Sequence, residues 1–268
     1  MTVDDTLSLP RILCLHGGGV NGTVFRLQCR AIIAQLGHRF RFVFMDAPYT
    51  SRPHRDIVTV YGDFAPFYRW LAWSREEPGL PPWARAGDVM DACLAAMERD
   101  AGDGPWAAVL GFSQGAKVAA SLLWAQQRAD EVLGPGRART AFRFAVLMAG
   151  SAPVLNLDLR LPPPPPHVAS PDAFSTDFTD YPDPEEAPPR GLHVLRLPTL
   201  HVHGLQDPGI QRHRCLLERY CAPATARLVE WDAGHRLPVK TADVKAVVAE
   251  VLRLARETGA IPPDVDAL

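Results

Sequence analysis

The pentapeptide Gly111-Phe112-Ser113-Gln114-Gly115 constrains this chain more than any other feature. It follows an apolar run at 106–110 and leads into residues 114–127, whose pattern is helical. A serine between a strand and a helix, with a glycine two residues away on each side, sits on a tight turn that exposes its hydroxyl. Side chains at 111 and 115 would collide with the neighbouring strand and helix. Ala116, Ala119 and Ala120 are small as well, which lets the helix approach a sheet. The sequence therefore asks for a strand–turn–helix with a nucleophilic serine at the strand's end.

The rest of the chain supplies a matching rhythm. Apolar runs at 11–15, 40–45, 142–148, 199–202 and 226–231 read as further strands. Between them lie helical patterns at 21–36, 84–101, 210–220 and 241–255. The first points Val24, Leu27, Ala31 and Leu36 inward; the second carries Val89, Met90, Cys93, Leu94 and Met97 on one face. Strands that alternate with helices imply right-handed crossovers and a mainly parallel sheet. The expected class is α/β, about six strands with helices on both faces, in one domain over residues 1–268.

Two segments break the rhythm. Residues 47–82 are rich in aromatics; within them, 61–71 reads either as an amphipathic helix packing on the core or as an apolar wall for an acyl chain, with Tyr61, Phe64 and Phe67 as substrate contacts. Residues 152–198 hold the run Pro162–Pro166 and an acidic stretch at 180–186. A connection of that length is either a lid over a site or partly disordered. As a lid, shortening of its residues 152–189 would alter substrate choice more than stability. The acidic stretch reads as solvated surface.

Further motifs converge on the serine. His16-Gly17-Gly18-Gly19 follows the first strand, where glycine-rich backbone can turn N–H groups toward a developing oxyanion. The expected donors are Gly18 (Gly19 second) and Gln114. If the second strand lies outside the first and the chain then crosses back, the crevice at the carboxyl ends of strands one and three receives both motifs. Asp207 follows the strand at 199–202, and His235 follows the strand at 226–231. The order Ser113, Asp207, His235 gives a nucleophile, an orienting acid and a general base. Asp232 is the rival acid. His203 reads as a turn residue, His201 as core or surface, and His16 as a residue holding the glycine loop by a hydrogen bond. The chain shows no zinc-site spacing, P-loop or dinucleotide fingerprint, so no metal and no cofactor is expected.

Composition narrows the partners. A net charge of −2 and scattered arginines give no reason to expect nucleic acid or an anionic membrane. The lysines are only Lys117, Lys240 and Lys245. Five cysteines cannot pair completely, and Cys14 and Cys93 read as buried thiols of a reducing compartment. The first ten residues have no basic start or apolar stretch, and no run approaches the roughly 18 apolar residues of a membrane span. A soluble, cytoplasmic protein is the expectation.

With these motifs assembled, the chain resembles a family. Leu13-Cys14-Leu15-His16-Gly17-Gly18-Gly19-Val20-Asn21-Gly22, Phe25 and Gln28, Met45-Asp46-Ala47-Pro48, Gly111–Gly115, His201–Pro208 and Gly234-His235 are similar to the pattern of fungal serine hydrolases related to human ovarian-cancer-associated protein 2. The resemblance covers nearly all of the chain except the proline-rich insert and the termini. It implies a compact α/β hydrolase that acts through Ser113, Asp207 and His235. The His-Gly-Gly-Gly variant and the Tyr61-Gly62-Asp63-Phe64 segment resemble trans-acting hydrolases of fungal polyketide pathways. That implies release or editing of a polyketide chain as an acyl thioester or ester, with the acyl carrier domain of a synthase as partner. A general carboxylesterase is the nearest alternative; a non-catalytic binding protein and a carbon–carbon lyase or cyclase are others. The length of the insert departs from the family pattern.

Overall fold

The computed structural model describes residues 5–76, 79–81 and 84–263. Pro82, at the end of the aromatic segment, and Met1–Asp4, at the start of the chain, lie outside them. Six strands form one parallel sheet: β1 (Arg11–Leu15), β2 (Arg41–Met45), β5 (Trp106–Phe112), β6 (Phe144–Met148), β7 (Thr199–Gly204) and β8 (Ala226–Trp231). Their spatial order is β2-β1-β5-β6-β7-β8. The chain thus reverses direction between β1 and β5, and the crevice at their carboxyl ends is where such sheets bind ligands.

Alternation along the strands divides the core in two. Leu13, Leu15, Val109, Ala145 and Leu147 face a cluster with α4 (Asp88–Arg99), α5 (Gln114–Leu133) and α6 (Ile210–Tyr220). Ile12, Cys14, Ala108, Leu110, Val146 and Leu200 face the other way, toward α1 (Gly22–Gln28), α2 (Arg30–Leu36) and α7 (Thr241–Glu257). Both faces of the sheet are therefore dry, which is why its central strands read as continuous apolar runs. No helix among the described residues is long and apolar enough to cross a membrane.

Three expectations need correction. Residues 21–36 are two helices, because the chain departs from helical geometry at Cys29 (ψ 0°). The Asn21 side chain caps the first by accepting from Val24 N–H at 2.8 Å, and the break leaves Leu27 exposed instead of inward. Residues 61–71 are not an amphipathic helix. A short helix, α3 (Val58–Tyr61), gives way to a 3₁₀ turn at Gly62–Phe64; after Pro66 the strand β4 (Phe67–Arg69) pairs antiparallel with β3 (Tyr49–Ser51). Proline cannot continue a helix, and the partner strand at 49–51 satisfies the backbone that follows it.

The third correction concerns the proline-rich insert. It is packed on α5. Val154, Leu155, Leu157 and Leu195 are buried in the same cluster as that helix. Ser121 Oγ accepts from Leu155 N–H at 2.9 Å, Trp124 Nε1–H donates to the Leu192 carbonyl at 2.8 Å, and Gln127 Nε2–H donates to the Val194 carbonyl at 3.0 Å. Polar side chains on a buried helix find their partners in the insert's backbone, because both sides would otherwise be left unsatisfied.

Candidate active site

Ser113 stands between β5 and α5 at φ 55°, ψ −117°, a left-handed conformation that few non-glycine residues adopt. Its N–H is tied to the Met148 carbonyl at 2.9 Å. The flanking glycines are needed for the reason the sequence suggests. A Cβ at Gly111 would run into the Gly115 carbonyl, and one at Gly115 into the Leu15 carbonyl of the adjacent strand. Strain held in a turn this crowded is a mark of functional sites.

The turn presents Ser113 Oγ to an imidazole. His235 Nε2 accepts from Ser113 Oγ at 3.0 Å, and His235 Nδ1–H donates to Asp207 Oδ2 at 2.7 Å. Asp207 Oδ1 accepts from Gly209 N–H at 2.8 Å. Burial pushes the Asp207 carboxyl up. The contacts from His213, His235 and the Gly209 N–H outweigh it and hold the group well below the usual carboxylate range. It is therefore a permanent anion facing the imidazole. The rival acid, Asp232, is turned away and accepts from Gln206 Nε2–H at 2.6 Å.

The glycine loop wraps the other side. His16 Nδ1–H donates to the Gly17 carbonyl at 2.7 Å, and His16 Nε2 accepts from Ala47 N–H at 3.0 Å. Burial lowers this imidazole to about 4, so it is a neutral strut of the loop. Gly19 N–H is committed to the Tyr68 carbonyl at 2.8 Å. The N–H groups of Gly18 and Gln114 take no partner among the described residues. The Gln114 side chain fills the space a Cβ on Gly18 would need, at 2.9 Å, and accepts from Trp70 N–H at 3.1 Å. The loop's backbone is thereby fixed over the serine.

A cavity of about 1000 Å³ opens on these groups. Gly18, Ser113, Gln114, Asp207, His213 and His235 line its floor; Arg52, Arg55, Arg69, Trp73 and Arg212 line its walls. Tyr61, Phe64 and Phe67, expected as substrate contacts, are not among the lining residues. Phe67 is buried with Val20, Val24 and Ile57, Tyr61 packs on that group, and Phe64 lies edge-on to Tyr61 at its exposed rim. On β4, Phe67 turns toward Val24 of α1, while Arg69, two residues on, lines the cavity. No residue of 152–198 lines it either; the insert meets the wall from behind, where Ser175 N–H and Thr176 N–H donate to the Ala72 and Trp73 carbonyls at 3.2 and 2.9 Å.

Three further histidines lie behind the site. His201 and His203 are both buried within β7, so His203 is a strand residue and not a turn residue. Burial lowers them to about 3 and about 4 respectively. His213, on α6, was not singled out by the motifs. Its signal was a histidine on a helix face otherwise made of Leu216 and Tyr220, one turn after the Asp207 loop. The donor atoms of Asp207, His213 and His235 converge within 4.8 Å, as metal ligands can. Each also has a hydrogen-bond or ion-pair role inside the protein, so the group reads as a proton-holding array.

A parallel sheet of this order, with a strained serine at a central strand's end and an imidazole and carboxylate from later strand ends, defines a serine hydrolase of α/β-hydrolase architecture. The comparisons carry this further: the family model described as Serine hydrolase (FSH1) matches residues 6–247, and the chain belongs to that family. It is 46% identical over 262 residues to Esterase claE of Penicillium crustosum, covering 96% of this chain and 97% of that one. It is 47% identical over 268 residues to Esterase pigG of Monascus ruber, covering 96% of each. In structure it is similar to acyl-protein thioesterase 2 of Zea mays, with a TM-score of 0.51, 18% identity and coverage of 94% of this chain and 96% of that one.

Proposed function

We propose that the whole chain acts as one hydrolase unit that cleaves an acyl ester or thioester through an acyl-enzyme on Ser113. The observation that carries this is the continuous path from Ser113 Oγ to His235 Nε2 at 3.0 Å and from His235 Nδ1 to Asp207 at 2.7 Å, on the floor of a large cavity. His235 takes the serine proton as Oγ attacks the carbonyl, then returns it to the leaving group. Asp207 holds the imidazole tautomer and stabilises the imidazolium. The Gly18 and Gln114 N–H groups receive the oxyanion. Water then repeats the sequence on the acyl-enzyme.

The substrate reading is an acyl thioester carried by a polyketide synthase, released or edited as the acid. Relatives named as esterases support the ester bond. The arginines at 52, 55, 69 and 212 support an oxygen-rich acyl chain, or the phosphodiester that ties such a thioester to its carrier. A thiolate leaves with little protonation, which suits a single imidazole. Four of the five free thiols are buried, which fits a reducing, cytoplasmic setting.

A fluorophosphonate probe should label wild type at Ser113 and fail on Ser113→Ala. Incubation with acyl-carrier thioesters should leave an acyl mass on Ser113, with turnover lost in Ser113→Ala by roughly 10⁶-fold. An unchanged rate in that variant ends the mechanism. Acylation by small esters but by no carrier-bound thioester ends the carrier reading and leaves a carboxylesterase.

A further inference from the structure

Asp207 Oδ2, the oxygen that receives His235, has a second imidazole beside it. His213 Nε2 lies 3.1 Å from that oxygen, and both side chains are almost fully buried. The other ring nitrogen, Nδ1, sits 2.9 Å from the Gly150 carbonyl. That carbonyl only accepts, so Nδ1 carries a hydrogen. The carboxylate also only accepts. A ring with one hydrogen would therefore aim a lone pair at a buried anion. Nε2 has no well-directed hydrogen bond, so its contact with Asp207 is an ion-pair separation. A protonated nitrogen, with the net charge of the imidazolium behind it, is attractive there at any tilt, whereas a bare one turns the negative end of the ring dipole toward the carboxylate.

We propose that His213 is a positioning residue of the hydrolytic site: an imidazolium that donates to the Gly150 carbonyl and pairs with Asp207 Oδ2, clamping the carboxylate in the orientation that His235 needs. The inference rests on the function proposed above and adds a fourth residue to Ser113, His235 and Asp207.

The surroundings are built for the clamp. A Cβ at Gly209 would lie 3.1 Å from His213 Cε1 and 3.2 Å from Asp207 Oδ1, so a glycine is what lets ring and carboxylate share the space. The His213 and His235 rings are 6.3 Å apart and nearly parallel, on either side of the same oxygen. Among the described residues, the titratable groups around His213 are Asp207, His235, His203, Arg212 and Arg214, together with His201 of β7, which burial keeps neutral. Asp207 comes from the loop after β7 and His235 from the loop after β8. His203, from β7 itself, lies 5.7 Å away, and burial keeps it neutral. Arg212 and Arg214 flank His213 on α6 and are cations. Asp207 is the one anion among them, and it is the partner.

The consequence for catalysis is orientation together with charge. Without the clamp, the carboxylate keeps Gly209 N–H on Oδ1 and His235 on Oδ2 but loses the second contact on Oδ2 that holds it from the side opposite His235. Without the cation, His235 faces an uncompensated carboxylate. The acid limb of the kcat/KM profile then moves to higher pH.

The experiment compares His213→Leu and His213→Gln with wild type on a p-nitrophenyl ester, with active sites counted by fluorophosphonate. His213→Leu should lower kcat roughly 10–100-fold with little change in KM. His213→Gln restores a neutral donor and should recover part of that loss, while the acid limb of its kcat/KM profile stays shifted to higher pH. If both variants keep the wild-type kcat per active site and pH profile, the inference is overturned, even if stability falls. If the variants do not fold, the ¹⁵N spectrum of the wild-type imidazoles decides. Two N–H groups on the His213 ring at the pH of full activity support the clamp, and one N–H overturns it. Wild type that neither labels at Ser113 nor hydrolyses esters refutes the catalytic reading instead, and the spectrum still decides the contact.

Discussion

Lys117 shows how a single residue on the helix that follows Ser113 is constrained. It lies one helical turn beyond Ser113, is almost fully buried, and donates to the Ala152 carbonyl at 3.1 Å. Burial, aided by the Arg212 charge, lowers its amine to about 7 from the ordinary 10.5. A base depressed on folding binds more protons in the unfolded chain between those values, so stability rises with pH across that window by up to about 1.4 kcal/mol per unit. The cost is fully present below pH 7. Lys117→Met should therefore gain most over wild type near pH 6–7, and the gain should shrink toward pH 10. Thermal melts of both proteins across that range check it; a pH-independent difference would show that the amine stays charged in the fold.

At the scale of elements, the insert at 152–198 is part of the scaffold of α5, and the turn at Ser113 opens that helix. Leu157 is completely buried in the cluster shared by the insert and the helix. Leu157→Ala should cost about 2–5 kcal/mol in a denaturant titration, the range for a truncated core leucine. The ratio of kcat/KM values for a short and a long acyl ester should stay as in wild type. A changed ratio with unchanged stability would restore the lid reading. Length and proline content marked this segment as unusual, but they did not say what it covers. Proline-rich backbone has no periodicity from which a buried face can be read. Its contacts, through Ser121, Trp124 and Gln127, come from residues far away in the chain.

For the whole molecule, several imidazoles buried together set the response to acid. His16, His201 and His203 all fall to between about 3 and about 4 through burial, against 6.5 for a free histidine. They stay neutral in the fold and take up protons when it unfolds. The unfolded state then binds more protons from pH 6.5 downward, and stability is lost as pH falls through that range. The expected result is an unfolding free energy that drops between pH 6.5 and 4 with a slope approaching three protons. His201→Asn should reduce that slope by about one. A flat profile over this range would mean the rings are not dry.

Local signals determined much of this protein. Apolar runs and helical spacing gave the six strands of the parallel sheet and most of the helices, because each is a property of a few adjacent residues. Gly111 and Gly115 marked the turn at Ser113, because the close approach there excludes any side chain. The glycine loop and the order of Ser113, Asp207 and His235 were equally legible, since strand ends place them. Only the tertiary structure decided which surfaces meet. It committed Gly19 to Tyr68, turned Tyr61, Phe64 and Phe67 away from the cavity, laid the insert on α5, and brought His213 against Asp207. Each of these depends on the position of a distant backbone group in space, and no local pattern of residues encodes that position.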